Sequence, residues 1–187
     1  MLQYVRFSET NRAFNAQRAL AWYLIAVGGA ALIDASSKLL AINTLTGNSV
    51  ELGDRFALML VYNPGGAGGV SWGPYTWLMN VCVTSLAIVM ISFIVVHLAK
   101  VDRRASLALG LVVGGAAGNL GSMLARGEGV PDFMAIRFTE GAVVCNAADL
   151  ALWSGAMLLV PVVRSLLRAI RAERVAKRSH TGELVNA

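Results

Sequence analysis

The side chains best suited to catalysis in this chain are two aspartates, Asp132 and Asp149, and three asparagines, Asn63, Asn119 and Asn146. Two carboxylates that share one site cannot both ionise comfortably, so they hold one proton between them. The ionised carboxylate then takes a proton from water while the protonated one donates to a scissile carbonyl oxygen. This hydrolyses a peptide bond without a covalent intermediate. The spacing alone leaves an alternative in which Asp149 only caps a helix and Asp132 is an ordinary loop acid.

Metal-dependent and nucleophilic chemistry find little support in the sequence. The two histidines, His97 and His180, stand far apart in the chain, and Cys82 and Cys145 have neither a metal-binding nor a redox spacing. No grouping typical of a nucleophilic triad accompanies them. We therefore expect a hydrolytic site that uses neither a metal nor a cofactor.

The elements that must position these side chains are membrane-spanning helices. The chain of 187 residues is 56% hydrophobic and 14% charged, whereas a soluble domain usually carries about 25% charged residues. Its mean hydropathy is +0.61. The composition predicts one integral membrane domain over residues 1–187, because four apolar stretches are long enough to cross a bilayer. These spans cover approximately residues 19–42, 75–98, 105–124 and 149–167.

The loops that follow the first and third spans contain short apolar segments. Val50–Tyr62 mixes β-branched and apolar residues and predicts one or two strands, and Phe133–Phe138 is a second apolar segment between turn residues. The predicted fold class is an all-α membrane protein with four transmembrane helices and a small extracytoplasmic loop region that contains β-structure. Span three also carries Gly110, Gly114 and Gly118, whose spacing indicates a face that another helix approaches closely.

Charge is distributed unevenly between the two sides of the predicted spans. Basic residues outnumber acidic ones in segments 6–18, 100–104 and 164–178, whereas segments 43–55 and 125–148 each carry one more acid than base. Because basic loops stay in the cytoplasm, both termini are expected inside and the two acidic loops outside. The same rule places the aspartates and asparagines named above together at the external interface.

The basic tail, residues 168–187, is expected to be cytoplasmic. Arg164, Arg168 and Arg171 share one helical face, which favours contact with anionic headgroups. The expected partners are therefore membrane lipids, and no nucleic acid is expected.

Span one contains the pair Asp34 and Lys38, four residues apart and on one helical face. An ionisable residue at mid-bilayer costs roughly 2.5 kcal/mol or more, so it suggests a functional role by default. Pairing relieves much of that cost. The plainer interpretation is a structural ion pair that fixes the first helix against its neighbours.

Five short motifs follow one another along the chain. They are Asp34-Ala-Ser-Ser-Lys38, Asn63-Pro-Gly-Gly-Ala-Gly68, Gly114-Gly-Ala-Ala-Gly-Asn119, Val130-Pro-Asp-Phe133 and Cys145-Asn-Ala-Ala-Asp149. In order, spacing and position relative to the spans, this set resembles signal peptidase II, the lipoprotein signal peptidase. The resemblance extends over about residues 32–155.

The resemblance implies that Asp132 and Asp149 form a catalytic dyad. It further implies a set of residues that hold the substrate backbone or orient the dyad: Asn63, Gly65, Asn119 and Asn146. The implied substrate is the signal peptide of a prolipoprotein whose cysteine already carries diacylglycerol, cut just before that cysteine. The implied location is the bacterial cytoplasmic (inner) membrane, as a multi-pass protein with its active site at the extracytoplasmic face.

The chain departs from the family pattern at several positions. Where the family has an Asp-Arg pair after the asparagine of helix three, this chain has Ser122 and Met123. Arg126 follows one turn later and is the candidate substitute for the missing arginine. Gly68 replaces a loop phenylalanine, and the segment before Asp132 is one residue longer than usual and contains Pro131.

These departures keep a second function open beside the peptidase. A catalytically impaired paralogue would bind lipopeptide or lipid without cleaving it. A small transporter or channel is a third alternative. It requires a polar path across the membrane, yet the inner halves of the spans are almost free of ionisable groups.

Overall fold

Four long helices and one small antiparallel sheet make up the protein. The structure, a computed structural model, describes residues 2–64, 71, 73–125 and 129–185, with side chains described at 16–64, 71, 73–125, 129–172 and 174. In chain order the helices are α1 (Leu2–Leu45), α2 (Thr76–Val101), α3 (Arg104–Ala125) and α4 (Ala147–Val185), and the strands are β1 (Ser49–Glu51), β2 (Phe56–Asn63), β3 (Val130–Phe138) and β4 (Gly141–Cys145).

Each helix includes a segment long and apolar enough to cross a membrane. These segments are Ala16–Leu45, Gly73–Val101 (which includes a short 3-10 turn before α2), Arg104–Ala125 and Ala147–Ala172. The predicted fold class, four transmembrane helices with a small β-containing region, is confirmed.

Helix α3 lies at the centre of the bundle because its glycines let α1 and α4 approach its backbone. A Cβ added at Gly114 would lie 2.7 Å from the backbone oxygen of Val27 in α1. A Cβ at Gly115 would collide with the backbone oxygen of Ala148 in α4. The predicted close helix approach along this glycine face is therefore present.

The middle of the bundle is held by apolar packing. Tyr23, Val95, Leu109 and Val113 form a buried cluster that joins α1, α2 and α3. The hydroxyl of Tyr23, which apolar surroundings would otherwise leave without a partner, forms a hydrogen bond with Ser92 of α2, with Tyr23 Oη and Ser92 Oγ 2.6 Å apart.

The sheet joins two segments that are distant in the sequence, the one after α1 and the one after α3. Its strand order is β1-β2-β3-β4, and all neighbours are antiparallel. Leu58 pairs with Met134 but Val61 pairs with Asp132, so β2 carries one extra residue between them. This bulge sets the register that brings the end of β2 alongside the start of β3.

Candidate active site

The start of α4 contributes two of the predicted site residues. Asn146 precedes the helix, and its Oδ1 accepts a hydrogen bond from the backbone N–H of Asp149 at 3.1 Å. In return, Asp149 Oδ2 accepts from the backbone N–H of Asn146 at 3.0 Å. This reciprocal arrangement is a capping box, and it fixes both side chains relative to the helix end. Asp149 thus takes part in capping α4 from its third helical position, through one of its two carboxylate oxygens.

The other predicted carboxylate, Asp132, projects from β3 into the same cluster. It is 3% exposed. Its Oδ1 accepts from Asn146 Nδ2 at 2.6 Å, and its Oδ2 accepts from Asn63 Nδ2 at 3.2 Å. Asn146 therefore bonds to both aspartates. Its side chain bonds to Asp132, and both its side chain and its backbone N–H bond to Asp149.

Burial determines the protonation of Asp132. Desolvation raises the pKa of this carboxyl to about 6, and the nearby charge of Asp149 acts in the same direction. The hydrogen bonds from Asn146 and Asn63 and the charge of Lys38 oppose the rise in pKa without cancelling it. A carboxyl with this pKa is able to exchange a proton near neutral pH.

Asn119, near the end of α3, connects the remaining oxygen of Asp149 to the cluster. Its Nδ2 donates to Asp149 Oδ1 at 3.1 Å, while its Oδ1 accepts from Asn146 Nδ2 at 3.1 Å and from Lys38 Nζ at 2.8 Å. Three helices and two strands, β2 through Asn63 and β3 through Asp132, thus meet in one hydrogen-bonded network.

The pair in α1 makes contacts that its local spacing did not predict. Lys38 Nζ lies 2.7 Å from Asp34 Oδ2, and both side chains are buried. Lys38 also donates to Ser122 Oγ at 3.1 Å. Asp34 Oδ1 accepts from the backbone N–H of Ala148 at 2.9 Å, which ties α1 to the first turn of α4.

Two of the predicted substrate-binding residues, Gly65 and Arg126, lie outside the described residues. The remaining predicted residues, Asn63, Asn119, Asn146 and both aspartates, are brought together. Sequence reasoning missed the contact of Lys38 with this group. One feature of the sequence did indicate this contact. Asn119 directly follows Gly118, and a side chain at Gly118 would displace the carboxylate of Asp34, so α1 and α3 come close together at this point.

Met123 stands where the family has an arginine. Its backbone carbonyl accepts a hydrogen bond from a tryptophan of α2. The indole Nε1 of Trp77, at the start of α2, donates to the carbonyl oxygen of Met123 at 2.9 Å. This bond satisfies one of the carbonyls left without a helical partner at the end of α3.

Helices α1, α3 and α4, together with β2 and β3, bring two carboxylates into one network of carboxamide donors, an arrangement that suits the class of membrane-embedded aspartic hydrolases. Comparison with known proteins identifies the family within this class. The profile of the family described as Signal peptidase (SPase) II matches residues 25–164. With that match over most of the chain, the protein belongs to the signal peptidase II family, whose members are aspartic peptidases. It is a multi-pass bacterial membrane protein.

Similar proteins agree with this assignment. A lipoprotein signal peptidase of Halalkalibacterium halodurans is 34% identical over 149 residues, which cover 79% of this chain and 90% of that protein. One of Rhodococcus jostii is 37% identical over 150 residues, covering 77% and 72%. A solved structure of a bacterial membrane enzyme, determined by the in meso method, has the same fold, with a TM-score of 0.65 at 21% identity over 77% of this chain and 88% of its own.

Proposed function

We propose that this protein is an intramembrane aspartyl endopeptidase that removes the signal peptide from diacylglyceryl-modified prolipoproteins, cutting before the lipidated cysteine. The observation that carries the proposal is the hydrogen bonding of Asp132 and Asp149 to the same residue, Asn146. One network that includes both carboxylates suits a pair that shares a proton.

Asp132 is the acid in the proposed first step, because burial raises its pKa to about 6. Asp149 is the base, since negative charge is favoured at the N-terminus of α4. Asp149 takes a proton from water as the water oxygen attacks the scissile carbonyl carbon, and Asp132 gives its proton to the carbonyl oxygen. In the second step Asp149 returns its proton to the leaving amide nitrogen, Asp132 regains a proton from the tetrahedral hydroxyl, and the C–N bond breaks.

The asparagines divide into two proposed roles. Asn146 uses both Nδ2 hydrogens and its Oδ1 within the cluster, so we assign it to orienting the dyad. Asn119 joins Lys38 to Asp149 and is assigned the same role. Asn63, Gly65 and Arg126 are assigned to the substrate backbone.

The proposed topology has both termini in the cytoplasm and the active site at the extracytoplasmic face of the inner membrane. Support comes from the basic segments 6–18, 100–104 and 164–178. Reporter fusions after Gly47 and Glu140 should then report the outside, and fusions after Asp102 and Arg178 the inside. One reversed signal would contradict this topology.

A gel-shift assay in a bacterial strain that lacks its own signal peptidase II tests the function. Wild-type protein should restore the faster-migrating mature lipoprotein, and a lipoprotein whose lipobox cysteine cannot be lipidated should remain uncut. An Asp132→Asn protein expressed at the same level provides the inactive control. Processing of the unlipidated substrate would contradict the proposed specificity.

A catalytically impaired paralogue is the second candidate, and the neutral Ser122 and Met123 favour it, since the family has a charged pair there. This candidate predicts that the purified wild-type protein retains a lipopeptide in a pull-down yet leaves it uncut after prolonged incubation. Cleavage of that lipopeptide would exclude it.

A further inference from the structure

Lys38 is placed to control the orientation of an amide that contacts the dyad. An ammonium group only donates hydrogen bonds, so the atom of Asn119 that lies 2.8 Å from Lys38 Nζ must be the carboxamide oxygen. The carboxamide nitrogen of Asn119 is thereby directed away from Lys38 and donates to Asp149 Oδ1 at 3.1 Å. A flipped amide would instead place its oxygen against the carboxylate of Asp149.

The charge balance around Lys38 depends on residue 122. The hydroxyl of Ser122 donates to the backbone oxygen of Gly118 at 3.1 Å and accepts from Lys38 at 3.1 Å. It therefore satisfies the ammonium without neutralising it. Asp34 is the one carboxylate paired directly with Lys38 within the described part of the chain.

The other groups that face this cluster leave its charge unchanged near neutral pH. Helix α3 contributes the neutral side chains of Asn119 and Ser122, and β2 contributes the neutral Asn63. From β4, Cys145 stays a thiol, because burial and the two aspartates raise its pKa. With one proton on the dyad, the four ionisable groups Asp34, Lys38, Asp132 and Asp149 carry one net negative charge.

We propose that Lys38 is a positioning residue of the dyad and that the neutral Ser122 lets its positive charge act on the two aspartates. Lys38 orients Asn119 toward Asp149, and the residue at position 122 determines how strongly the dyad holds its proton. The charge of Lys38 lowers the pKa of Asp132, in agreement with this direction. The inference rests on the proposed function for the meaning of the dyad, but its first test does not require cleavage.

The first test is an infrared pH titration of the purified full-length protein, in which protonated carboxyls absorb apart from carboxylates. The Asp132 band is identified in each background by its loss on Asp132→Asn. Ser122→Asp places a carboxylate next to Lys38, so the Asp132 midpoint should move to higher pH by about half a unit or more. Ser122→Asn, of similar size but neutral, is the matched control and should leave the midpoint unchanged. Equal midpoints in the two variants would overturn the proposal.

The second test measures cleavage by Lys38→Met, which shortens the unbranched side chain by one atom and removes its charge. A positioning role predicts a fall in kcat of about 10- to 100-fold, with KM within about twofold of wild type in the folded fraction. A merely structural role predicts loss of folded protein with normal kcat per folded molecule, and that result would overturn the proposal. If the wild type cleaves nothing while the infrared midpoints shift as expected, the proposed function fails and the electrostatic part of the inference stands.

Discussion

The two halves of α3 are stabilised by opposite kinds of contact, although one glycine repeat runs through both. At Gly110 and Gly114 the neighbours are backbone atoms and alanine side chains of α1. One repeat further on, the neighbour of Gly118 is the carboxylate of Asp34. The same small residue that allows apolar packing in the first half therefore makes room for a buried charge in the second.

Because of this difference, the first half of α3 contributes mainly to stability and the second half mainly to the candidate active site. The first half contributes Leu109 and Val113 to the apolar cluster that also contains Tyr23 of α1, and substitutions there change packing energy. The second half lies against Asp34 at Gly118 and bonds to Lys38 and Asp149 through Asn119, so substitutions there change charge and orientation. Variants in the two halves should consequently differ in which property they affect.

The largest effect is expected at the dyad itself. Asp132→Asn and Asp149→Asn each remove one partner of the acid–base pair, so each should reduce the cleavage rate by about 10²- to 10⁴-fold. Both asparagine side chains retain the shape needed for packing, so the unfolding temperature in detergent should stay close to that of wild type. Substantial cleavage by either variant would show that the replaced aspartate is not catalytic and has only a capping or structural role.

A smaller but still selective loss is expected for Gly118→Ala. The new methyl group would occupy the position of the Asp34 carboxylate, which must then move together with Lys38. Displacing a positioning group by about 1 Å lowers activity by up to about 100-fold. We therefore expect kcat to fall more than thermal stability does when both are measured on the same preparation. A normal kcat in this variant would show that the positions of Asp34 and Lys38 do not affect the reaction.

Arg126→Ala tests whether this residue replaces the missing family arginine. A guanidinium within one turn of Met123 is able to reach the same substrate carbonyls with several donors, so we expect a clear loss of cleavage. Arg137→Ala is the matched control, because Arg137 forms an exposed pair with Glu51 at 2.6 Å and such pairs contribute little. Ser122→Asp combined with Met123→Arg should partly rescue the Arg126→Ala protein. Unchanged cleavage by Arg126→Ala would show that Arg126 does not position the substrate and that this role is either unfilled or supplied by the asparagines.

The smallest effect on catalysis is expected in the apolar half. Gly114→Ala would bring a Cβ within 2.7 Å of Val27 backbone oxygen, which should lower the free energy of unfolding by about 1–3 kcal/mol. Activity per folded molecule should be preserved. Gly28→Ala is the control, since a Cβ at Gly28 meets nothing within 4 Å. If Gly114→Ala instead abolished kcat without loss of stability, the division of α3 into two halves would be wrong.

The parts of the fold that the sequence predicted are those determined by local pattern. Hydropathy predicts four helices because each span is a continuous apolar run, and the glycine spacing predicts a close helix contact. The pairing of β2 with β3 was not predictable, since these strands lie about 70 residues apart and their register depends on the bulge between Leu58 and Val61.

The site shows the same limit. The motif order indicated the aspartates and asparagines, and the spacing of Asp34 and Lys38 indicated an ion pair. The contact of Lys38 with Asn119 depends on how α1 is rotated against α3. That rotation is set by the approach of the two backbones at Gly110 and Gly114, a tertiary property that no local pattern contains.

The most direct test of the shared dyad is a double-mutant cycle on purified protein with a diacylglyceryl-modified peptide. It compares kcat/KM for wild type, Asp132→Asn, Asp149→Asn and the double variant. Residues that act as one catalytic unit are strongly non-additive, so the double variant should cleave about as slowly as either single variant. If the two single losses multiply in the double variant, Asp132 and Asp149 act independently and do not share one acid–base function.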